Sequence, residues 1–218
     1  MTGTGRDRAE ELRTADGRVP GRRGRATRQR LLDTLAEMLV DTPYRDLTVV
    51  ELARVAEVSP ATFYQYFADV DAAIIVLADD MAEVGNRRLR ELVAGGSWAG
   101  EEAAAHSQAV AAGFFAVWTD YEPLLRVVDL KSAEGDQRFR SRRTTFLNGP
   151  TVALVAALEA ERGAGRLAPG VDPIATAAVL VAMLAHVAAH RRGLEAWGVD
   201  PGDLRRSVAR QLQAAFTA

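Results

Sequence analysis

From residue 26 to the end of the chain, apolar residues recur at spacings of three and four, and alternating β-branched runs are absent. That periodicity excludes a half-buried sheet and predicts an all-α protein of about nine helices. Leu31, Leu32, Leu35, Met38 and Leu39 form one stripe of a first helix, which must end before Pro43. Thr48 and Glu51 have the spacing of a capping box: the threonine oxygen accepts from Glu51 N–H while the glutamate reaches back to Thr48 N–H. The second helix buries Val49, Leu52, Ala53 and Ala56, and a third starts at Ser59-Pro60, a cap followed by a proline at the first helical position. It is short, about Pro60 to Phe67. Asp69 caps a fourth helix that runs to about Val93 and gives way at Gly95-Gly96.

Five more helices follow, over Gly100 to Trp118, Pro123 to Ser132, Asp136 to Glu161, Pro173 to Trp197 and Pro201 to Phe216. Asp172-Pro173 and Asp200-Pro201 repeat the cap-plus-proline start. Asn148-Gly149-Pro150 lies inside the 136–161 pattern, where a proline removes a hydrogen bond and clashes with the preceding turn, so a kink or break is expected there.

Composition narrows the function. There is no cysteine, hence no disulfide framework, thiolate metal site or cysteine nucleophile. Residues 1–30 carry no apolar stretch of the kind a secretory signal needs, so a cytoplasmic location is expected. Ile174 to His190 is free of formal charge for 17 residues, but it is alanine-rich, marginally short for a bilayer, and reads as a buried helix; no membrane partner is expected. The net charge of −2 is unevenly spread: residues 18–30 hold six arginines and no acid, whereas residues 31–67 carry a net −4. Attraction to phosphate therefore falls to the arm, and Arg22, Arg23, Arg25 and Arg28 are its candidates for following phosphates or entering a minor groove. Lysine is nearly absent: Lys131 stands alone against 26 arginines.

The stretch "VSPATFYQYF", residues 58–67, holds three aromatic rings and no charge. Two short helices joined by a tight turn, the second starting at Ser59-Pro60, have the proportions of a helix-turn-helix whose second helix enters a DNA major groove. Phe63 and Phe67 belong to its core. Ala61, Thr62, Gln65 and Tyr66, with Tyr64 at the edge, are left to meet DNA. Thr48, Ser59, Thr62, Tyr64 and Tyr66 offer hydroxyls to phosphates beside Pro60, Gln65 suits an adenine edge, and Ala61 or the Thr62 methyl suits a thymine methyl.

Thr48 to Ile74, "TVVELARVAEVSPATFYQYFADVDAAI", resembles the DNA-binding segment of the TetR family of bacterial transcriptional regulators, with its Thr-capped helix, Ala-x-x-Ala-x-Val-Ser turn and Thr-Phe-Tyr-x-Tyr-Phe recognition helix. The resemblance covers about residues 26–75. Three positions depart from the family pattern. Glu57 replaces the usual turn glycine, Val70 a phosphate-binding lysine, and Pro60 a residue that is commonly basic or polar.

What the resemblance implies is a basic arm over 1–25, a helix-turn-helix domain over 26–69, and a larger ligand-binding and dimerisation domain over 70–218. It implies a homodimer formed by the last two helices, double-stranded DNA with a palindromic operator as partner, repression, and release by a small apolar or amphipathic effector. No cofactor and no metal are implied. Two recognition helices about 34 Å apart would read successive major grooves, with the fourth helix as the lever between effector and DNA. The effector candidates are Phe114, Trp118 and Tyr121 on one helical stripe, Phe139 and Phe146 seven apart on another, Asn148 at the expected kink, and Met183 and His186 facing them. The same stripes also read as plain core.

Other chemistry is poorly supported. His186 and His190 lie four apart on one helix face, but no glutamate follows His186 and no third ligand is evident. The chain has no P-loop, no dinucleotide fingerprint and no Gly-x-Ser-x-Gly elbow, so no enzymatic role is expected. The alternative from a different class is a protein-interaction module whose helix-turn-helix no longer reads DNA.

Overall fold

The computed structural model describes residues 21–217, and among these it contains nine α-helices and no strand. They are α1 (Arg22–Asp41), α2 (Val49–Val55), α3 (Pro60–Tyr64), α4 (Val70–Ala94), α5 (Ala103–Asp120), α6 (Glu122–Ala133), α7 (Gln137–Gly163), α8 (Pro173–Ala196) and α9 (Pro201–Thr217). Two 3-10 turns, Tyr44–Asp46 and Gly100–Glu102, precede α2 and α5. The first helix starts earlier than the sequence suggests: Arg22, Arg23 and Arg25, expected on a flexible arm, lie in the opening turns of α1. Residues 1–20 of the arm, Arg18 among them, lie outside the described residues.

Helices α1, α2 and α3 enclose a small core of Leu31, Leu32, Leu35, Leu52 and Phe63, each at most 1% exposed. Beyond it, α4 crosses α7 in the most extensive helix pair of the molecule. The crossing is close because glycines stand on both sides. A Cβ on Gly85 of α4 would lie 2.3 Å from the Phe146 ring, and one on Gly149 of α7 would lie 2.6 Å from the Asn86 carbonyl oxygen.

The expected break at Asn148-Gly149-Pro150 does not occur; α7 is continuous from Gln137 to Gly163 with Pro150 inside it. Neighbouring groups supply hydrogen bonds around the defect. Asn86 Nδ2 donates to the Thr145 carbonyl (2.6 Å), and Thr151 Oγ1 donates to the Leu147 carbonyl (2.8 Å). Pro150 itself is buried, so the ring adds to the core what it removes from the backbone ladder.

At the far end, Trp98 fastens α9. Its ring stacks on Phe216 at 4.2 Å while Nε1 donates to the Val93 carbonyl. Helix α8 buries Ala177, Leu180, Val181, Leu184, Ala185 and Ala188 on one face and leaves another apolar face outward. Ile174 (65% exposed) and Val179 (67%) face outward, and Trp197, just past its end, is 85% exposed. By length and composition α8 is the one helix among the described residues that is apolar enough to cross a membrane; 39% of that apolar window is buried inside the molecule.

Candidate nucleic-acid interface and effector region

The turn between α2 and α3 is built by the backbone. Val58 N–H donates to the Ala53 carbonyl and Glu57 N–H to that of Arg54, the paired bonds of a Schellman stop. That stop requires a left-handed residue, and Glu57 occupies it at φ +55°, where the sequence already hinted at a glycine position. Helix α3 then starts on the expected cap, with Ser59 Oγ accepting from Thr62 N–H at 3.1 Å. The two hydroxyls of Ser59 and Thr62 are hydrogen-bonded to each other at 2.9 Å. Thr48 Oγ1 accepts from Glu51 N–H at 3.2 Å, as expected. The reciprocal arm of the capping box is absent, because the Glu51 carboxylate turns to Arg54 and forms a bidentate pair (3.0 and 2.5 Å). That hydrogen bonding lowers the glutamate's pKa and raises the arginine's, so the one basic side chain of α2 is already neutralised.

Phe63 is fully buried and packs on Phe67 (5.5 Å between centroids). The opposite face of α3 is open: Ser59, Pro60, Ala61 and Gln65 are exposed, and Tyr64 is 52% exposed. Tyr66 differs from expectation in being half-buried against the core; Thr62 is also half-buried, and Tyr64 and Gln65 are exposed. Arg22, Arg23 and Arg25 are exposed on α1. Arg28 is half-buried, its guanidinium 5.2 Å from the centre of the Phe67 ring, so part of its role is to cover the small core.

The effector candidates separate into three places. Phe114, Trp118, Phe139 and Phe146 are buried; Phe114 stacks on Trp118 at 6.0 Å and Trp118 is edge-on to Phe146 at 5.9 Å, while Phe139 lies apart from them beside Lys131. Asn148, Met183 and His186 come together instead in an open groove of about 890 Å³ between α7 and α8, with Arg143, Thr151 and Val179. Arg143 enters it already paired to Asp129 of α6 at 2.7 Å. Tyr121 belongs to a third place, a cavity of about 340 Å³ at the seam of α1, α4 and the start of α6, with Leu39, Val40, Leu77 and Met81. The His186 and His190 rings stack at 4.1 Å, and no group of three metal-ligating side chains exists among the described residues.

A family model described as the tetracyclin repressor-like C-terminal domain matches residues 89–218, more than half of the chain. A second, for bacterial regulatory proteins of the tetR family, matches residues 31–72, the segment that contains α2 and α3. The chain belongs to the TetR family. No curated protein matches it. Among solved structures, this TetR-family chain is similar to the fatty acid degradation regulator FadR of Bacillus halodurans (TM-score 0.66, 16% identity, 90% of this chain and 97% of that one). It is also similar to reduced NemR of E. coli (0.66, 18%, 88% and 98%) and to the Bacillus subtilis regulator FadR in complex with stearoyl-CoA (0.65, 18%, 86% and 98%). At these identities the likeness is one of fold. The TetR-family assignment makes the protein a DNA-binding helix-turn-helix regulator with a ligand-binding C-terminal domain.

Proposed function

We propose that the protein is a cytoplasmic homodimeric repressor that binds a palindromic operator and is released by a small apolar or amphipathic molecule. The observation that carries this reading is the face of α3: a recognition helix whose exposed side chains are uncharged hydrogen-bonding or small groups, held by a buried Phe63. Thr62, Tyr64 and Gln65 read base edges and adjacent phosphates, Ala61 approaches a thymine methyl, and the exposed arginines at the start of α1 supply the charge that α2 and α3 lack. Dimerisation uses the outward face of α8, where Ile174, Ala178, Val179, Ala182 and Ala189 form an apolar strip without a partner in the single chain; the last four also wall the open groove, so the partner chain closes it. The outer face of α9 is largely charged and polar, so it borders the contact while α8 fills its centre. The effector occupies the groove of Asn148, Met183 and His186. The stearoyl-CoA bound by the Bacillus subtilis relative supports an amphipathic ligand class.

The test is selection from sheared genomic DNA by the purified protein at roughly 0.15 M salt, where non-specific phosphate binding is reduced, with Tyr64→Ala in parallel. A palindrome enriched by the natural chain and lost in the variant supports the proposal. A folded dimer that enriches nothing refutes it and favours the interaction-module reading.

A further inference from the structure

Among the described residues, two ion pairs are shielded from water on both sides, and they sit at opposite ends of α6. At its start, Glu122 (16% exposed) is held by Arg191 of α8 (13%), with Arg192 at 3.1 Å. At its end, Lys131 Nζ (18%) lies 3.1 Å from Asp71 Oδ2 (16%), in the first turn of α4. The other oxygen of Asp71 accepts from the Tyr44 hydroxyl at 2.5 Å, and Tyr44 lies in the 3-10 turn that leads into α2. The same ammonium stands 5.5 Å from the Tyr44 ring centre and 5.9 Å from that of Phe139, with Glu134 at 3.9 Å, and Arg138 approaches Asp71 at 3.7 Å. Asp71 thus binds the helix-turn-helix domain with one oxygen and the effector domain with the other.

A helix of twelve residues is a stiff rod about 18 Å long. Exposed ion pairs hold little, but shielded ones resist exchange with water, and loss of one partner strands a charge. With both ends fixed in this way, α6 links the helix that carries the apolar dimer face to the base of the lever and to the entry of α2.

We propose that Lys131, Asp71 and Tyr44 form a positioning junction through which α6 sets the separation of the two recognition helices, and so the operator half-site spacing that the dimer accepts. This rests on the dimeric, operator-binding reading above. The three residues touch no DNA; they decide where the DNA-reading face is held. The chain's lone lysine does this because its ammonium satisfies a carboxylate and lies near two rings at once, with donors free to rotate. Burial and the bond to Asp71 raise the Tyr44 pKa, and the Asp71 bond raises that of Lys131, so the donor and the cation both persist across the physiological range.

The experiment has two arms. The first measures affinity for operators whose half-sites are moved apart or together by one or two base pairs. The natural chain and Lys131→Arg should discriminate between spacings by about tenfold, the range of ordinary coupling between sites. Lys131→Met and the milder Tyr44→Phe should keep half-site preference and lose most of that spacing discrimination. The second arm needs no DNA. The chain has no cysteine, so spin labels at Val50→Cys and Ala160→Cys, in protomers diluted with unlabelled chain, report the distance between the two domains. A narrow distribution that broadens in Lys131→Met and Tyr44→Phe, with cooperative thermal unfolding retained, supports the junction. Unchanged width and spacing profile in both variants overturns it. If the natural chain selects no operator, the proposed function fails and the label distribution alone decides the junction.

Discussion

Replacing Gly149 by alanine adds a single methyl group where α7 lies against the backbone of α4. Its Cβ would stand 2.6 Å from the Asn86 backbone oxygen and 2.5 Å from Asn86 Oδ1. Carbon–oxygen approaches in packed proteins settle near 3.3 Å or more, so the helices must part by about 0.7 Å at this crossing. Overpacking of this kind costs about 1–3 kcal/mol. The Asn86 side chain must also move, which sacrifices its 2.6 Å bond to the Thr145 carbonyl, a loss of about 1 kcal/mol. Alanine returns about 1 kcal/mol through its better helix propensity. The net expectation is a loss of about 1–3 kcal/mol. Gly163→Ala is the internal control: it lies on the same helix, nothing is within 4 Å of its added Cβ, and only the propensity gain remains. Urea unfolding of both variants at one fixed protein concentration, which keeps any association term constant, gives the comparison. Equal midpoints for Gly149→Ala and Gly163→Ala would refute the close-crossing argument.

Glu57→Gly should stabilise the protein by less than about 1 kcal/mol, because relief of about 1–2 kcal/mol at a left-handed residue is partly offset by about 0.5–1 kcal/mol of extra chain freedom; a lower urea midpoint would contradict this. Acid stability has a definite sign. Hydrogen bonds from Arg138 hold the Asp136 carboxyl down at about 2, and those from Arg166 lower Glu161. Both contributions are complete above the ordinary carboxylate range and disappear as pH falls through the lowered values, so Asp136→Asn should flatten the loss of stability between about pH 4 and 2. The alkaline side runs the other way, since Lys131 has a raised pKa: its contribution is full below 10.5 and lost as pH rises through the folded value, a limb that Lys131→Met should lack in urea melts. Val179→Glu places a charge in the apolar strip of α8 and should convert the proposed dimer to monomer in sedimentation experiments; an unchanged dimer would place the contact elsewhere.

Local chemistry made much of the architecture legible in the sequence. The caps at Thr48, Ser59, Asp69 and Asp172 each accept the backbone bond that their sequence neighbourhood announces. Glu57 was visible as a non-glycine in a glycine position only through the family resemblance, and its φ of +55° agrees. What escaped depends on partners distant in the chain. Pro150 breaks the local rules for a helix, yet α7 runs through it, with the ring buried in a core built by elements distant in the chain. The stripes of Phe114, Trp118, Phe139 and Phe146 show which face is apolar but not what stands opposite: Phe114, Trp118 and Phe146 meet one another, and Phe139 meets Lys131. The capping box failed on one side because Arg54 competes for Glu51, a choice that spacing alone does not settle. The junction at Asp71 was signalled only by the isolation of Lys131 in an arginine-rich chain; its partners at 44 and 71 become neighbours through the fold.

The three tryptophans occupy different surroundings, and this gives the molecule its own optical reporter. Trp98 and Trp118 are 5% and 3% exposed, while Trp197 is 85% exposed at the end of the α8 strip. A soluble quencher therefore reaches Trp197 and leaves the other two emitting from the core. Collisional quenching followed against dilution would show the association of two chains as the protection of one indole, and melting of the interior as the later, red-shifted exposure of the other two, with no label attached.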